Sequence, residues 1–221
     1  MSVSPPATVQ TAPPGEETAL PYGRPVRRRI AVPLALALGV GAAIALVGLH
    51  DRVVYYRVTS DSMRPTLQVG SRVAVEPGVQ PKVGEIVVFH PPAGAIPEIP
   101  VCGAADEGAG FTQPCGVATA GSSRAIFIKR VVAGPGDLVS IRAGRSVVNG
   151  VASNEPFAAS CTVAACTFQT PVRVPAGHYY VLGDNRGASD DSRFWGPIQA
   201  SSIVGVAVTC EPLQTACRPR H

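Results

Sequence analysis

The chain reads as an all-β body behind one N-terminal membrane-spanning helix, and three features point there. Beyond residue 50, short β-branched and aromatic stretches are divided by Pro and Gly turns. Few segments in that region carry a helical period. Before them, Ile30 to Leu49 is a run of 20 residues without a charge. The expected organisation is a cytoplasmic tail over 1–29, an anchor over 30–49 and an extracytoplasmic domain over 50–221.

Residues 1–29 are rich in Pro, Thr, Ala and Gly. Such a segment buries too little to offset the entropy of ordering and reads as disordered. The run that follows spans about 30 Å at 1.5 Å per residue, the thickness of the hydrocarbon layer. Pro33 falls in its first turn, where a missing N–H is harmless. Arg27-Arg28-Arg29 precede the run, and the mixed His50-Asp51-Arg52 follow it, which places the N-terminus in the cytoplasm. A cleaved signal peptide, processed at Ala43-Ile44-Ala45, is the competing reading. The apolar run continues to Leu49, beyond the usual length of such a segment, and favours an anchor.

In the body, strands are expected at Arg52–Thr59, Ser71–Val75, Glu85–Phe89, Ala125–Val132, Leu138–Ile141, Ser146–Val148, His178–Leu182 and Ile203–Thr209. Asn149-Gly150 signals a hairpin. One short helix is expected between Ser192 and Ala200. Two stretches, 90–124 and 152–172, read as surface insertions. Six cysteines fall in three close pairs, Cys102 with Cys115, Cys161 with Cys166 and Cys210 with Cys217. Even number and spacing suit disulfides on an oxidising side of the membrane, although six cysteines permit 15 pairings. Zinc is the alternative, opposed by the lack of any CxxC pair.

The formal net charge of +4 is concentrated at the N-terminus, because the first 29 residues hold four arginines and two glutamates. Beyond them stand 15 basic and 13 acidic residues. No basic face for phosphate neutralisation results, and nucleic-acid binding is not expected.

Only two of the 19 basic residues are lysines, and one of them, Lys129, lies among Phe127, Ile128, Val131 and Val132. Arginine keeps its charge in any protein setting, whereas a desolvated lysine can lose its proton and act as a base. Upstream, Ser60-Asp61-Ser62-Met63-Arg64-Pro65 offers serines for such a base. The four histidines are scattered: His50 by the membrane, His90 before Pro91-Pro92, His178 at a strand start and His221 at the terminus. None suggests a Ser-His-Asp triad. Taken singly, Ser62 reads as a turn residue and Lys129 as an exposed strand residue.

Four segments taken together resemble the bacterial type I signal peptidases, a family of Ser-Lys dyad peptidases. Ser62-Met63-Arg64-Pro65-Thr66-Leu67 resembles the nucleophile box and Gly84-Glu85-Ile86-Val87-Val88-Phe89 the strand box that follows. Phe127 to Asp137 (FIKRVVAGPGD) resembles the lysine box, and Gly183 to Gly196 (GDNRGASDDSRFWG) the last one. They arrive in family order. Glu85 in place of the usual aspartate, Phe127 in place of a frequent tyrosine and Ala133-Gly134 are departures that touch no reacting atom.

The resemblance implies a signal-peptidase-like β-sandwich or barrel and a membrane-bound serine endopeptidase that removes N-terminal signal peptides from exported preproteins. Its partners would be signal peptides and the lipid bilayer, with no metal or organic cofactor. Ser62 would be the nucleophile and Lys129 the general base. The Ser60 hydroxyl and the Ser62 N–H would bind the oxyanion, and Ser189 would hydrogen-bond and aim the amine. Asp191 and Arg193 would form a supporting ion pair, with a solvated surface pair as the alternative. Gly183 would leave the lysine uncrowded, and Met63 and Pro65 would shape the serine turn. Trp195 is expected to serve packing alone. Two other readings stay open: a Ser-Lys peptidase dedicated to one client, such as a pilus or conjugation protein, and an inactive binding homologue.

Overall fold

The computed structural model describes residues 53–93, 95, 114–118, 121–163 and 166–211. The tail, the apolar run 30–49, Cys102 and Cys217 lie outside them. Among the described residues no helix is long and apolar enough to cross a membrane.

Among the described residues, eleven strands form two antiparallel sheets: β1 (Val54–Arg57), β2 (Arg72–Pro77), β3 (Ile86–Phe89), β4 (Phe127–Ala133), β5 (Leu138–Arg142), β6 (Arg145–Val148), β7 (Val151–Ala152), β8 (Phe168–Arg173), β9 (His178–Leu182), β10 (Ile198–Gln199) and β11 (Ile203–Glu211). The larger sheet has the order β1-β2-β11-β3-β4-β9-β10 and the smaller β7-β6-β5-β8. One short helix, α1 (Ser192–Trp195), follows the loop after β9. The body is nearly all β, as the strand-and-turn pattern predicts.

Burial explains why the central strands read as continuous apolar runs rather than alternating ones. In β3, Ile86 and Val88 pack with Met63, Leu67, Val73 and Val75, whereas Val87 and Phe89 pack on the opposite face with Val131, Val181 and Trp195. Both faces are covered, so all four positions are apolar and buried. A third cluster joins the sheets, with Val132, Tyr180 and Leu182 from one against Val139, Ile141 and Phe168 from the other. Trp195 sits in the second cluster, 6.0 Å from the Phe89 ring, as a packing residue.

Differences from expectation gather where side-chain pattern is weak. Segment 152–172, expected as an insertion, ends in β8, whose burial pattern shows only Phe168 and Val172 inward. The helix stops at Trp195, because Gly196 adopts φ 83° and the chain turns into β10. Asn149-Gly150 forms its hairpin with both residues at positive φ, 53° and 82°, the geometry of a type I′ turn. Cys161 and Cys166 are bonded to each other, and Cys115 and Cys210 are disulfide-bonded as well.

The β5–β6 turn packs beneath this disulfide. Gly144 has φ 78°, and a Cβ there would come within 2.6 Å of the Cys161 Cβ. Gly144→Ala should therefore lower stability by about 1–3 kcal/mol, from left-handed backbone and overpacking together. Urea unfolding measures this, and an unchanged midpoint would contradict the packing.

Candidate active site

Two segments remote in sequence meet at a serine and a lysine. Ser62 lies in a single 3-10 turn, Asp61–Met63, anchored by burial of Met63 and Leu67 in the first core cluster. Lys129 lies on β4, one residue before Arg130, which is paired with Leu182 at the end of β9. That register sets Gly183 beside Lys129. The Lys129 amine donates to Ser62 Oγ at 2.7 Å. Ser62 is 8% exposed and Lys129 5%.

Burial costs an ammonium its hydration, and desolvation is the largest influence on Lys129. Its pKa falls from 10.5 to about 8. The Asp191, Asp190 and Asp184 carboxylates oppose the fall, and the Arg193 guanidinium assists it. At pH 7 about a tenth of the lysines are thus uncharged, and half at about pH 8. A neutral amine 2.7 Å from a hydroxyl can take its proton and activate it toward a carbonyl carbon.

The loop Gly183–Arg193 holds this pair from one side. Asp191 and Arg193 are fully buried and joined twice, Nε to Oδ1 at 2.7 Å and Nη2 to Oδ2 at 2.9 Å. The solvated-pair alternative fails. The same carboxylate accepts from the Gly183 N–H at 3.0 Å and caps α1 through the Arg193 N–H. A Cβ on Gly183 would overlap Ser189 Oγ and the Ser62 carbonyl oxygen. Gly183 therefore makes room for Ser189 and the serine turn.

Ser60 Oγ lies 3.2 Å from Ser62 Oγ. Met63 is buried, and Pro65 follows a cis peptide bond. Ser189 corrects another expectation: its hydroxyl is buried against Gly183 and has no hydrogen-bond partner among the described residues, while the lysine amine donates to Ser62. The motif thus brings Ser60, Ser62, Lys129, Gly183 and Ser189 together without the predicted bond from amine to Ser189.

Sequence reasoning missed two further buried pairs. Arg130 clasps Asp184 through Nε at 2.9 Å and Nη2 at 2.6 Å, and Asp184 also accepts from Thr66 Oγ1. Arg186 clasps Glu155 at 2.8 and 2.9 Å, and Glu155 accepts from the Ser146 N–H and Oγ. The Asn185 N–H donates to the Ser62 carbonyl at 3.0 Å. One available signal was Arg130 itself, a second charge next to Lys129 in a strand otherwise made of Phe127, Ile128, Val131, Val132 and Ala133.

A cleft of about 490 Å³ opens beside the pair. Tyr56 to Met63, Ile126 to Lys129, Ala188 and Asp190 line it, and Asp190 lies close enough to Lys129 for its charge to raise the lysine's pKa. The four antiparallel pairings that lead from β1 to β4 make these two strands run in the same direction. β4 pairs with β3 along Phe127–Arg130 but with β9 only from Arg130 onward, so one edge of its N-terminal half is left without a strand neighbour among the described strands. Among the described residues no group of three His, Cys, Asp or Glu is placed to hold a metal ion.

The model of a protein family described as signal peptidase, peptidase S26, matches residues 29–210. A signal peptidase I from Leptolyngbya laminosa is 33% identical over 177 residues, 77% of this chain and 74% of that one. Thylakoidal processing peptidase 1 of Arabidopsis thaliana chloroplasts is 36% identical over 156 residues, 68% of this chain but only 39% of that longer protein. A solved signal peptidase I from Enterococcus faecalis V583 is 24% identical with a TM-score of 0.38, covering 59% of this chain and 98% of that one.

Two outcomes are expected. The folded pKa of Lys129 lies below its unfolded value, so the unfolded state binds more protons between about pH 8 and 10.5 and stability gains with pH there. Lys129→Met should be more stable than the parent at pH 7, by up to about 3 kcal/mol at 1.36 kcal/mol per pK unit, and the gap should close by pH 10.5. Paired urea titrations decide it; a gap independent of pH refutes the desolvated amine. Asp184→Ala leaves Arg130 buried and uncompensated and should cost about 3–5 kcal/mol, read as a fall in Tm.

Proposed function

The chain belongs to the signal peptidase family, peptidase S26, and on that premise we propose that it is a membrane-bound serine endopeptidase that cuts signal peptides from exported preproteins with a Ser62–Lys129 dyad. The observation that carries this reading is the 2.7 Å contact between a buried amine and a buried hydroxyl, with the amine's pKa lowered to about 8.

The preprotein lies extended in the cleft, between the strand leading to Ser62 and the edge of β4 that β9 leaves open before Arg130, in the manner of strand addition. Lys129 removes the Ser62 proton as Oγ attacks the scissile carbonyl. The oxyanion that forms is met by the Ser62 N–H and by the Ser60 hydroxyl, turned from its contact with Ser62 Oγ. Such a donor is worth about 2.7–4 kcal/mol in other hydrolases. The Lys129 ammonium then gives its proton to the departing amine, the mature chain leaves, and the signal peptide stays esterified to Ser62. Water, deprotonated by the same amine, hydrolyses the ester. Ser189 Oγ, buried beside Gly183, is assigned as the acceptor that steadies the amine once Ser62 is acylated. Asp191 with Arg193 supports Gly183, and Met63 with Pro65 fixes the serine turn.

The apolar run 30–49 is assigned as the anchor, with the N-terminus cytoplasmic and the dyad on the outer side. Leu49 precedes Ser62 by 13 positions, which keeps the dyad close to the bilayer surface where a signal peptide ends.

Purified full-length protein in detergent should cut a preprotein once, after an Ala-x-Ala site, as read by N-terminal sequencing. Ser62→Ala and Lys129→Ala should each lower kcat by about 10⁴-fold or more while retaining the fold. Activity retained in Lys129→Ala would end the dyad assignment. The rate should climb about tenfold per pH unit below about pH 8 and level off above it; a flat profile from pH 6 to 10 would exclude the lysine as base.

A further inference from the structure

Four charged side chains line the cleft: Arg57, Asp61, Lys129 and Asp190. Two of them have partners. Asp61 is exposed and bridged to Arg64 at 2.8 Å. Lys129 is engaged with Ser62. Arg57 belongs to the end of β1, upstream of the serine turn. Asp190 differs. It sits on the loop that carries Ser189 and Asp191, lines the cleft half-buried, and is close enough to Lys129 for the two charges to influence each other. Its neighbours in the loop, Asp184 and Asp191, are fully buried and each closed by a two-point arginine pair. Asp190 has no ion pair within 4 Å among the described residues.

We infer that Asp190 makes the catalytic end of the cleft selective for positive charge, by pairing with a lysine or arginine side chain of the bound peptide close to the scissile bond. This rests on the peptidase reading above. A half-buried carboxylate is less screened than a surface one, so a cation brought against it gains more than a surface pair would. A bound peptide also excludes water from the cleft and deepens that effect. An acidic side chain at the same place meets repulsion instead.

The charged surroundings agree. Burial pushes the Asp190 carboxyl above its ordinary pKa, and the Asp191 carboxylate pushes it further. Lys129, the Trp195 indole and Arg193 pull the other way. The first two influences leave an anion whose negative charge is incompletely compensated, and a peptide cation would supply the missing partner. Lys129 cannot do so without remaining protonated, which the chemistry at Ser62 does not allow.

The test uses the full chain in detergent and one preprotein with an Ala-x-Ala site. Lys, Gln or Glu is placed in turn at the second position before the cut and at the first and second positions after it. At one of these positions the parent's kcat/KM for Lys should exceed that for Glu by about tenfold or more, as for a partly desolvated charge pair. Asp190→Asn should reduce that ratio to near one while still cutting the Gln substrate, and Asp190→Glu should retain it. Ratios equal in the parent and in Asp190→Asn at all three positions would overturn the inference and leave the peptidase reading intact. Failure of the parent to cut any of the substrates would overturn the peptidase reading instead.

Discussion

The structure depends on keeping one amine dry next to one hydroxyl. Lys129 is 5% exposed, and its strongest perturbation is loss of hydration. Uncompensated burial of an ammonium drives deprotonation, which is the state a base needs. Carboxylates placed nearby would undo that effect, yet the loop that shapes the site carries Asp184, Asp190 and Asp191. Their arrangement is therefore the central electrostatic problem of the fold.

Arginine solves most of it. Asp184 is clasped by Arg130 and Asp191 by Arg193, each through two hydrogen bonds in full burial. A guanidinium matches a carboxylate in a planar two-point contact and cannot lose its charge. Arg193 opposes the raising influence of Asp191 on the lysine, and both pairs tie the loop down. Arg130 also donates to the Gly84 carbonyl at 2.7 Å, and Arg193 to the Ser189 carbonyl at 3.1 Å. The pair of Arg186 with Glu155 extends the same device to the smaller sheet. Such buried pairs contribute little net stability, since desolvation offsets attraction, but breaking one leaves a charge stranded. Geometry at the site, rather than stability, is what they secure.

Much of this could be read before any coordinates. Strand positions followed from β-branched runs between Gly and Pro, and the Asn149-Gly150 hairpin from its demand for two positive φ values. Ser62 and Lys129 were legible because a lysine among apolar neighbours and a serine in a short turn sit inside four motifs in a fixed order. β8 was not legible, because four of its six residues are exposed or polar and only Phe168 and Val172 face inward. The hydrogen bond from the amine to Ser189 was expected and is absent, because a motif specifies neighbours without the direction of a single N–H.

The sequence alone determined the chemical types: a lone lysine in an apolar strand, a serine turn, an uncharged run of 20 residues, and cysteines in close pairs. These are local, and periodicity, composition and spacing express them directly. Tertiary structure decided which charges are silenced and which remain. Arg130 with Asp184 and Arg186 with Glu155 lie 54 and 31 positions apart, and only strand register and the path of the loop bring them into contact. Whether a carboxylate raises, lowers or leaves alone a neighbouring pKa depends on distance and hydration, and both exist only once the chain has folded.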